Sequence, residues 1–257
     1  DVCKSEYPSI KVTFSSDLSH GLEPVERENG VLSFRLSAST GNYDVHGIKD
    51  GKNVQTTYRN NGYYLGVCAG KEPTKFSDCT SIKNLEREPV FVELESGEIL
   101  AAGISADFVS DGKYLKVTHT LVNVSDKTME RVCIGVNADI QIGSNDSASI
   151  YRTGTGFRME DPGSQQQFSL ACKKAPGADD ISTMWFGYYG ERQNNQFNDT
   201  SADDLIGDDS GLAFSWKDME LSPGERITRS VLFSVGEIAD PPVLSKDPFS
   251  FTLEAEG

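Results

Sequence analysis

The feature that most constrains this chain is its hydrophobic rhythm. Short runs of β-branched and aromatic residues alternate with polar ones, and turn residues interrupt them about every 8–12 positions, the spacing of sandwiches and barrels. Segment 9–15 alternates Ile10, Val12 and Phe14, and segment 31–37 does so in part through Leu32, Phe34 and Leu36. Segments 113–123 and 131–142 have the length of long strands, and 89–94 and 98–108 are further apolar runs. More candidates lie at 148–153, 155–159, 166–172, 183–189, 211–217, 226–235 and 248–254. Nowhere do apolar residues recur at i, i+3, i+4 and i+7 over three turns; residues 80–86, the best helix candidate, amount to two turns at most. About fourteen strands exceed the seven of an immunoglobulin domain. The expectation is an all-β chain with little helix, folded as a large two-sheet antiparallel β-sandwich in which each sheet buries one face against the other.

A chain of 257 residues is long enough for one such unit with a sizeable core. One sandwich is expected over residues 1–240. No Pro/Ser-rich linker marks residue 110, where two smaller sandwiches would have to join. After Asp240-Pro241-Pro242 the tail reads as a linker and final strand over 241–257, the start of a following module or a strand folding back. The chain opens at Asp1 rather than Met, as expected after signal-peptide removal or for a piece of something longer.

The net charge of −15 repels phosphate backbones and anionic lipid, so nucleic acid is not an expected partner. No run approaches 18 apolar residues, so no membrane insertion is expected in this segment. None of the five cysteines, Cys3, Cys68, Cys79, Cys133 and Cys172, forms a CxxC pair. That argues against a zinc knuckle or thioredoxin-like site and for disulfides. Cys68 and Cys79 bracket a short loop and form the first expected pair, with Cys133 and Cys172 the second. Cys3 is left unpaired or bonded elsewhere. Three sequons begin at Asn123, Asn145 and Asn198. Cysteines and sequons together suggest a secreted or cell-surface glycoprotein.

Strand 131–142 has two faces by its two-residue period. Val132, Ile134, Val136, Ala138, Ile140 and Ile142 make the core row. Asn137, Asp139 and Gln141 lie in the opposite row, which is either solvated or suited to pairing with sugar hydroxyls. Trp185 and Tyr189 on one strand, and Tyr63 and Tyr64 beside Asn60-Asn61, are candidates to stack on a sugar or anchor a partner. Trp216 sits in an apolar row with Leu212 and Phe214 and reads as core. His119, in a row with Leu115, Val117 and Leu121, reads as a core histidine or a base at a pocket edge. Two acidic loops, one holding Asn145 and Asp146 near Asp139 and one holding Asp208 and Asp209 beside glycines, offer oxygen ligands for Ca²⁺, without EF-hand spacing.

Catalytic motifs are missing. There is no HExxH and no G-x-S-x-G, and the chain has only three histidines, His20, His46 and His119. The stretch 207–211 (GDDSG) is too short and too altered to read as a serine-protease nucleophile site. Asp139, Asp146, Glu160 and Asp161 offer glycosidase-like carboxylate pairs, as any acidic chain does.

The run from VCIGVNADIQIGSNDSASI through STMWFGYYG to GLAFSWKDMELSPGERIT, residues 132–228, resembles the large β-sandwich repeats of surface proteins in microbial eukaryotes. That resemblance implies a sandwich followed by small β-modules, and its motifs are turn and core signatures. The architecture is also similar to the supersandwich of sugar-mutarotase-like proteins. That family's paired catalytic histidines find no matching motif here, so no activity is carried over. The expected function is a secreted or cell-surface binding and adhesion module for glycan or protein, not an enzyme. A carbohydrate-active enzyme or its accessory domain, and a structural spacer, are the alternatives.

Overall fold

The computed structural model describes residues 26–36, 41–85, 89–200 and 202–236. The expected strands at 9–15 and 248–254, the tail 241–257 and Cys3 lie outside the described residues. In chain order the strands are β1 (Arg27–Glu28), β2 (Leu32–Leu36), β3 (Tyr43–Lys49), β4 (Lys52–Gln55), β5 (Tyr64–Cys68) and β6 (Thr80–Ile82). Then come β7 (Val90–Glu93), β8 (Ile99–Val109), β9 (Tyr114–Asn123), β10 (Met129–Asp139), β11 (Ser149–Arg152) and β12 (Gly156–Asp161). The last are β13 (Gln166–Ala171), β14 (Thr183–Tyr188), β15 (Asp204–Leu205), β16 (Ser210–Leu221) and β17 (Arg226–Val235). The helix candidate at 80–86 is instead strand β6, preceded by a 3₁₀ turn at Phe76–Asp78. Two more 3₁₀ turns lie at Tyr58–Asn60 and Tyr189–Glu191.

The fold is an all-β sandwich of antiparallel sheets, with one addition to the two-sheet expectation. An eight-stranded sheet runs β15-β11-β12-β13-β17-β9-β8-β7, and a five-stranded sheet runs β14-β16-β10-β5-β6. A further four-stranded sheet, β1-β2-β3-β4, is tied to the five-stranded one by backbone bridges at Tyr43–Tyr63 and Thr57–Ile140. One buried cluster draws on all three sheets, from Leu32 and Phe34 through Val136 and Trp216 to Phe233. Burying each such side chain contributes about 1.5–3 kcal/mol. Residues 110–113 form a tight turn that joins β8 to its partner β9.

His119 belongs to this core. It is 1% exposed, with Nε2 3.1 Å from the Tyr43 hydroxyl and Nδ1 3.2 Å from the Arg229 carbonyl. Trp216 packs beside it, at a ring separation of 5.5 Å.

The outer row of β10 departs from the simple sandwich pattern, in which that row faces water. Asn137 and Gln141 are buried along with the core row, and over Asn137 the segment after β14 lies across this side of the sheet. Gln196 of that segment is fully buried. Its Nε2 donates to the carbonyls of Val136 and Phe214 (3.0 and 2.9 Å), and its Oε1 accepts from Asn137 Nδ2 at 2.8 Å. Phe197 packs with Cys68 and Cys133 on the same side.

The four described cysteines are free thiols. Cys133 stands opposite Cys68 in the β10–β5 ladder, with Cys79 packed against both. Cys172 lies in the main core instead, its Sγ 3.9 Å from Met184 Sδ, so Cys133 has no access to it. Burial pushes the Cys172 thiol up to about 12; the hydrogen bond with Cys68, and then burial, raise Cys133.

Candidate functional site

A cleft of about 720 Å³ lies where the four-stranded sheet meets the turn after β10. Its walls include Arg35 of β2, Asp44 and His46 of β3, Asn53 and Gln55 of β4, and Arg59 from the following turn. Asp50 and Gly51, at φ 53° and 70°, form the two-residue hairpin turn that sets β4 against β3 and brings Asn53 and Gln55 beside His46.

Asp44 and His46 are 1% and 6% exposed, so the pair is buried at the cleft wall. His46 Nε2 lies 3.2 Å from Asp44 Oδ2 and 2.9 Å from Asn60 Oδ1. Both are acceptors, so Nε2 carries the proton and Nδ1 holds the lone pair of the neutral ring. Nδ1 is buried and has no hydrogen-bond partner among the described residues. Burial works against the imidazolium, but the hydrogen bond and charge of Asp44 outweigh it, aided by Asn60 and opposed by Arg35. The His46 pKa is therefore raised. Asp44 is held in turn: its Oδ1 accepts from the Val45 amide (2.9 Å) and the Thr57 hydroxyl (3.0 Å).

The turn carrying Arg59 and Asn60 is strained, with both residues in the left-handed region at φ 51° and 56°. Non-glycine residues at such angles cost about 1 kcal/mol each and cluster at functional sites. Hydrogen bonds hold the turn in place: Gly62 N–H donates to Thr57 Oγ1, and Asn42 Nδ2 to the Asn61 carbonyl, each at 3.0 Å. On the other wall Arg35 pairs with Glu28 at 3.2 Å. With its amide turned toward Arg35, Asn53 Oδ1 accepts from both guanidinium nitrogens at 2.9 and 2.8 Å.

Beside the cleft, the end of β10, the turn at 143–147 and the segment before β16 bring together Asp139, Asp146 and Asp209. One carboxylate oxygen from each lies within 4.8 Å of the others. Gly143 and Ser144 of that turn line the cleft. Burial raises the Asp139 carboxyl to about 6, against the pull of Arg192. Asp146 is raised by burial against Arg59, and Asp209 by burial and then by Asp146 and Asp208.

Of the residues singled out in the sequence, Tyr64, Asp139 and Tyr189 converge around Arg192. Its guanidinium lies 5.9 Å from the Tyr64 ring and 5.8 Å from the Tyr189 ring, and its charge acts on Asp139. Tyr63 is fully buried, and Asn137, Gln141 and Trp185 are buried, so none of these four offers a surface to a sugar. Asn145 and Asp208 make hydrogen bonds of their own. Asn145 Nδ2 donates to Asp161 and its Oδ1 accepts from the Ser147 amide, while Asp208 Oδ1 accepts from the Asp209 amide. Asn123 of the first sequon is fully buried and donates to the carbonyls of Lys127 and Leu221; Asn145 is half-buried, and Asn198 is exposed. Asp44, His46, Arg35 and Arg59 were not singled out in the sequence.

No protein-family model matches this chain, and no curated protein does. Solved structures give matches of low similarity. A polysaccharide lyase matches at 14% identity and TM-score 0.41, covering 82% of this chain and 33% of its own. A protein described as a kojibiose phosphorylase from the human microbiome matches at 12% and 0.34, covering 80% and 26%. A galactose mutarotase related enzyme from Lactobacillus acidophilus matches at 10% and 0.43, covering 84% and 98%. This chain thus spans about a third and a quarter of the first two. No residue role follows from likenesses of this size. The expectation of a non-enzyme is not carried forward, since the solved structures matched here bear enzyme titles, but likenesses of this size assign no activity to this chain. Among the described residues, no helix is long and apolar enough to cross a membrane.

Proposed function

We propose that this chain is a carbohydrate-active domain that takes a sugar bearing a carboxylate into the His46 cleft and performs proton-transfer chemistry on it. The observation that carries this reading is the buried His46–Asp44 pair at the wall of a cleft of about 720 Å³, with Nδ1 of His46 unpartnered. A histidine held by a carboxylate at one ring nitrogen is oriented for proton transfer, and Nδ1, buried in the free protein, is its unpaired basic atom. Arg35 and Arg59 put cationic groups into the cleft of a chain whose net charge is −15, which favours an anionic sugar over a neutral one. Asn53 and Gln55 supply amides for hydroxyl recognition.

Incubating the protein with uronate-containing and neutral oligosaccharides, and following products by NMR, tests this reading. Because His46 must be neutral to act as base, turnover is expected to rise with pH through its raised pKa. His46→Gln should abolish turnover while leaving the fold intact. If no uronate oligosaccharide is bound or turned over, or if His46→Gln retains full turnover, the reading is wrong. A second reading, glycan adhesion at a cell surface, draws support from Tyr188, half-exposed and packed edge-to-face on Tyr189, and from the exposed sequon at Asn198. An extracellular setting accompanies both readings.

A further inference from the structure

The three aspartates at the side of the cleft are not explained by acid–base chemistry at His46. Their oxygens come from three separate chain segments: the end of β10, the turn at 143–147 and the residue before β16. Asp139 is only 8% exposed, and its Oδ1 is buried without a hydrogen-bond donor. The same holds for Oδ1 of Asp146 and of Asp209. Arg192 spends one N–H on the Tyr189 carbonyl at 2.7 Å. Among the described residues, neither it nor Arg59 forms an ion pair with any of the three aspartates. Buried acceptors normally find donors, so three neighbouring orphans call for a shared positive partner.

We propose that Asp139, Asp146 and Asp209 form a binding site for a divalent cation, with calcium as its natural occupant. An all-oxygen, carboxylate-rich donor set selects a hard cation. Calcium binds oxygen at about 2.3–2.6 Å, so ligands on opposite sides of the ion stand about 4.6–5.2 Å apart, a span that accommodates oxygens within 4.8 Å of one another. Magnesium demands near-ideal octahedral geometry at about 2.0–2.1 Å and keeps several waters, so calcium's more flexible shell is the better match to three carboxylates from three separate segments. The three carboxylates leave the rest of the coordination shell to water or to a ligand. Because the turn that supplies Asp146 also lines the cleft through Gly143 and Ser144, the ion fixes one wall of that cleft. This inference does not depend on the nature of the sugar.

The test uses the full chain, stripped with EDTA and titrated with CaCl₂ and separately with MgCl₂. Binding is followed by calorimetry and by the shift in Tm. A saturable Tm increase with calcium, weaker with magnesium, is expected. Asp139→Asn should lose it, and Asp208→Asn, on the neighbouring exposed carboxylate outside the group, should keep it. If Asp139→Asn does not fold, Asp146→Asn serves in its place, since that residue is only half-buried. Terbium luminescence sensitised by the nearby tyrosines gives a second readout of the same site. No calcium-dependent shift and no binding heat in the wild type, or equal loss in Asp139→Asn and Asp208→Asn, would overturn the proposal. Failure of sugar binding alone would leave it standing.

Discussion

His119 allows a prediction with a worked magnitude. Burial holds its imidazole neutral and lowers its pKa from 6.5 to about 4, with the Arg229 carbonyl acting against the shift. For a histidine depressed on folding, stability is fully present above the unfolded pKa. It declines as pH falls, because the unfolded chain takes up protons that the folded chain refuses. From about pH 7 to about pH 5 this single group costs about 2 kcal/mol, and about 3 kcal/mol once pH is below both values. His46 and Asp139, both raised, act in the opposite sense, so the readout is a difference between two proteins rather than one curve. His119→Gln keeps a polar group between the Tyr43 hydroxyl and the Arg229 carbonyl but does not titrate. Urea unfolding of both proteins across this range should show the variant losing about 2 kcal/mol less than wild type between about pH 7 and pH 5. Parallel pH profiles would refute the buried, neutral assignment.

Other consequences follow from packing and chemistry. Gln196→Ala removes three buried hydrogen bonds that seal the outer row of β10 and should cost about 3 kcal/mol in urea unfolding, whereas a surface-like cost below about 0.5 kcal/mol would show that this side is not closed. Under oxidising conditions, peptide mapping should find Cys68 bonded to Cys133 or Cys79 and Cys172 as a slowly alkylated thiol; a Cys133–Cys172 bridge would contradict the register. In a glycosylating host, Asn198 should carry glycan and folded protein should lack it at Asn123, which site-resolved mass spectrometry checks.

Much of the fold was legible because several strands show one apolar face. The expected segments 98–108, 113–123 and 226–235 meet in the sheet as β8, β9 and β17, and burial alternates over the first half of β9, whereas β8 and β17 each carry an unbroken buried run. The β3–β4 hairpin was missed, and with it His46. The first five residues of β3 are all buried, so Tyr43-Asp44-Val45-His46-Gly47 shows no two-residue rhythm. The signal present there was the Asp50-Gly51 turn, which marks a hairpin by chemistry rather than hydrophobicity. The outer row of β10 was misjudged for another reason. A strand pattern cannot reveal that a later segment, anchored by Gln196, will cover it. In the acidic loops the sequence marked the right neighbourhood, but Asn145 and Asp208 satisfy themselves with local backbone and side-chain partners, while Asp139, Asp146 and Asp209 face one another.

The most direct test of the account is an imidazole-detected NMR titration of His46 with an oligosaccharide of uronic acid and its neutral counterpart. The account predicts that His46 resonances shift saturably with the acidic sugar and far less with the neutral one. It also predicts that Arg59→Gln weakens this response, while His119, sealed in the core, stays silent. If both sugars leave His46 unmoved while resonances elsewhere respond, the His46–Asp44 cleft is not the functional site.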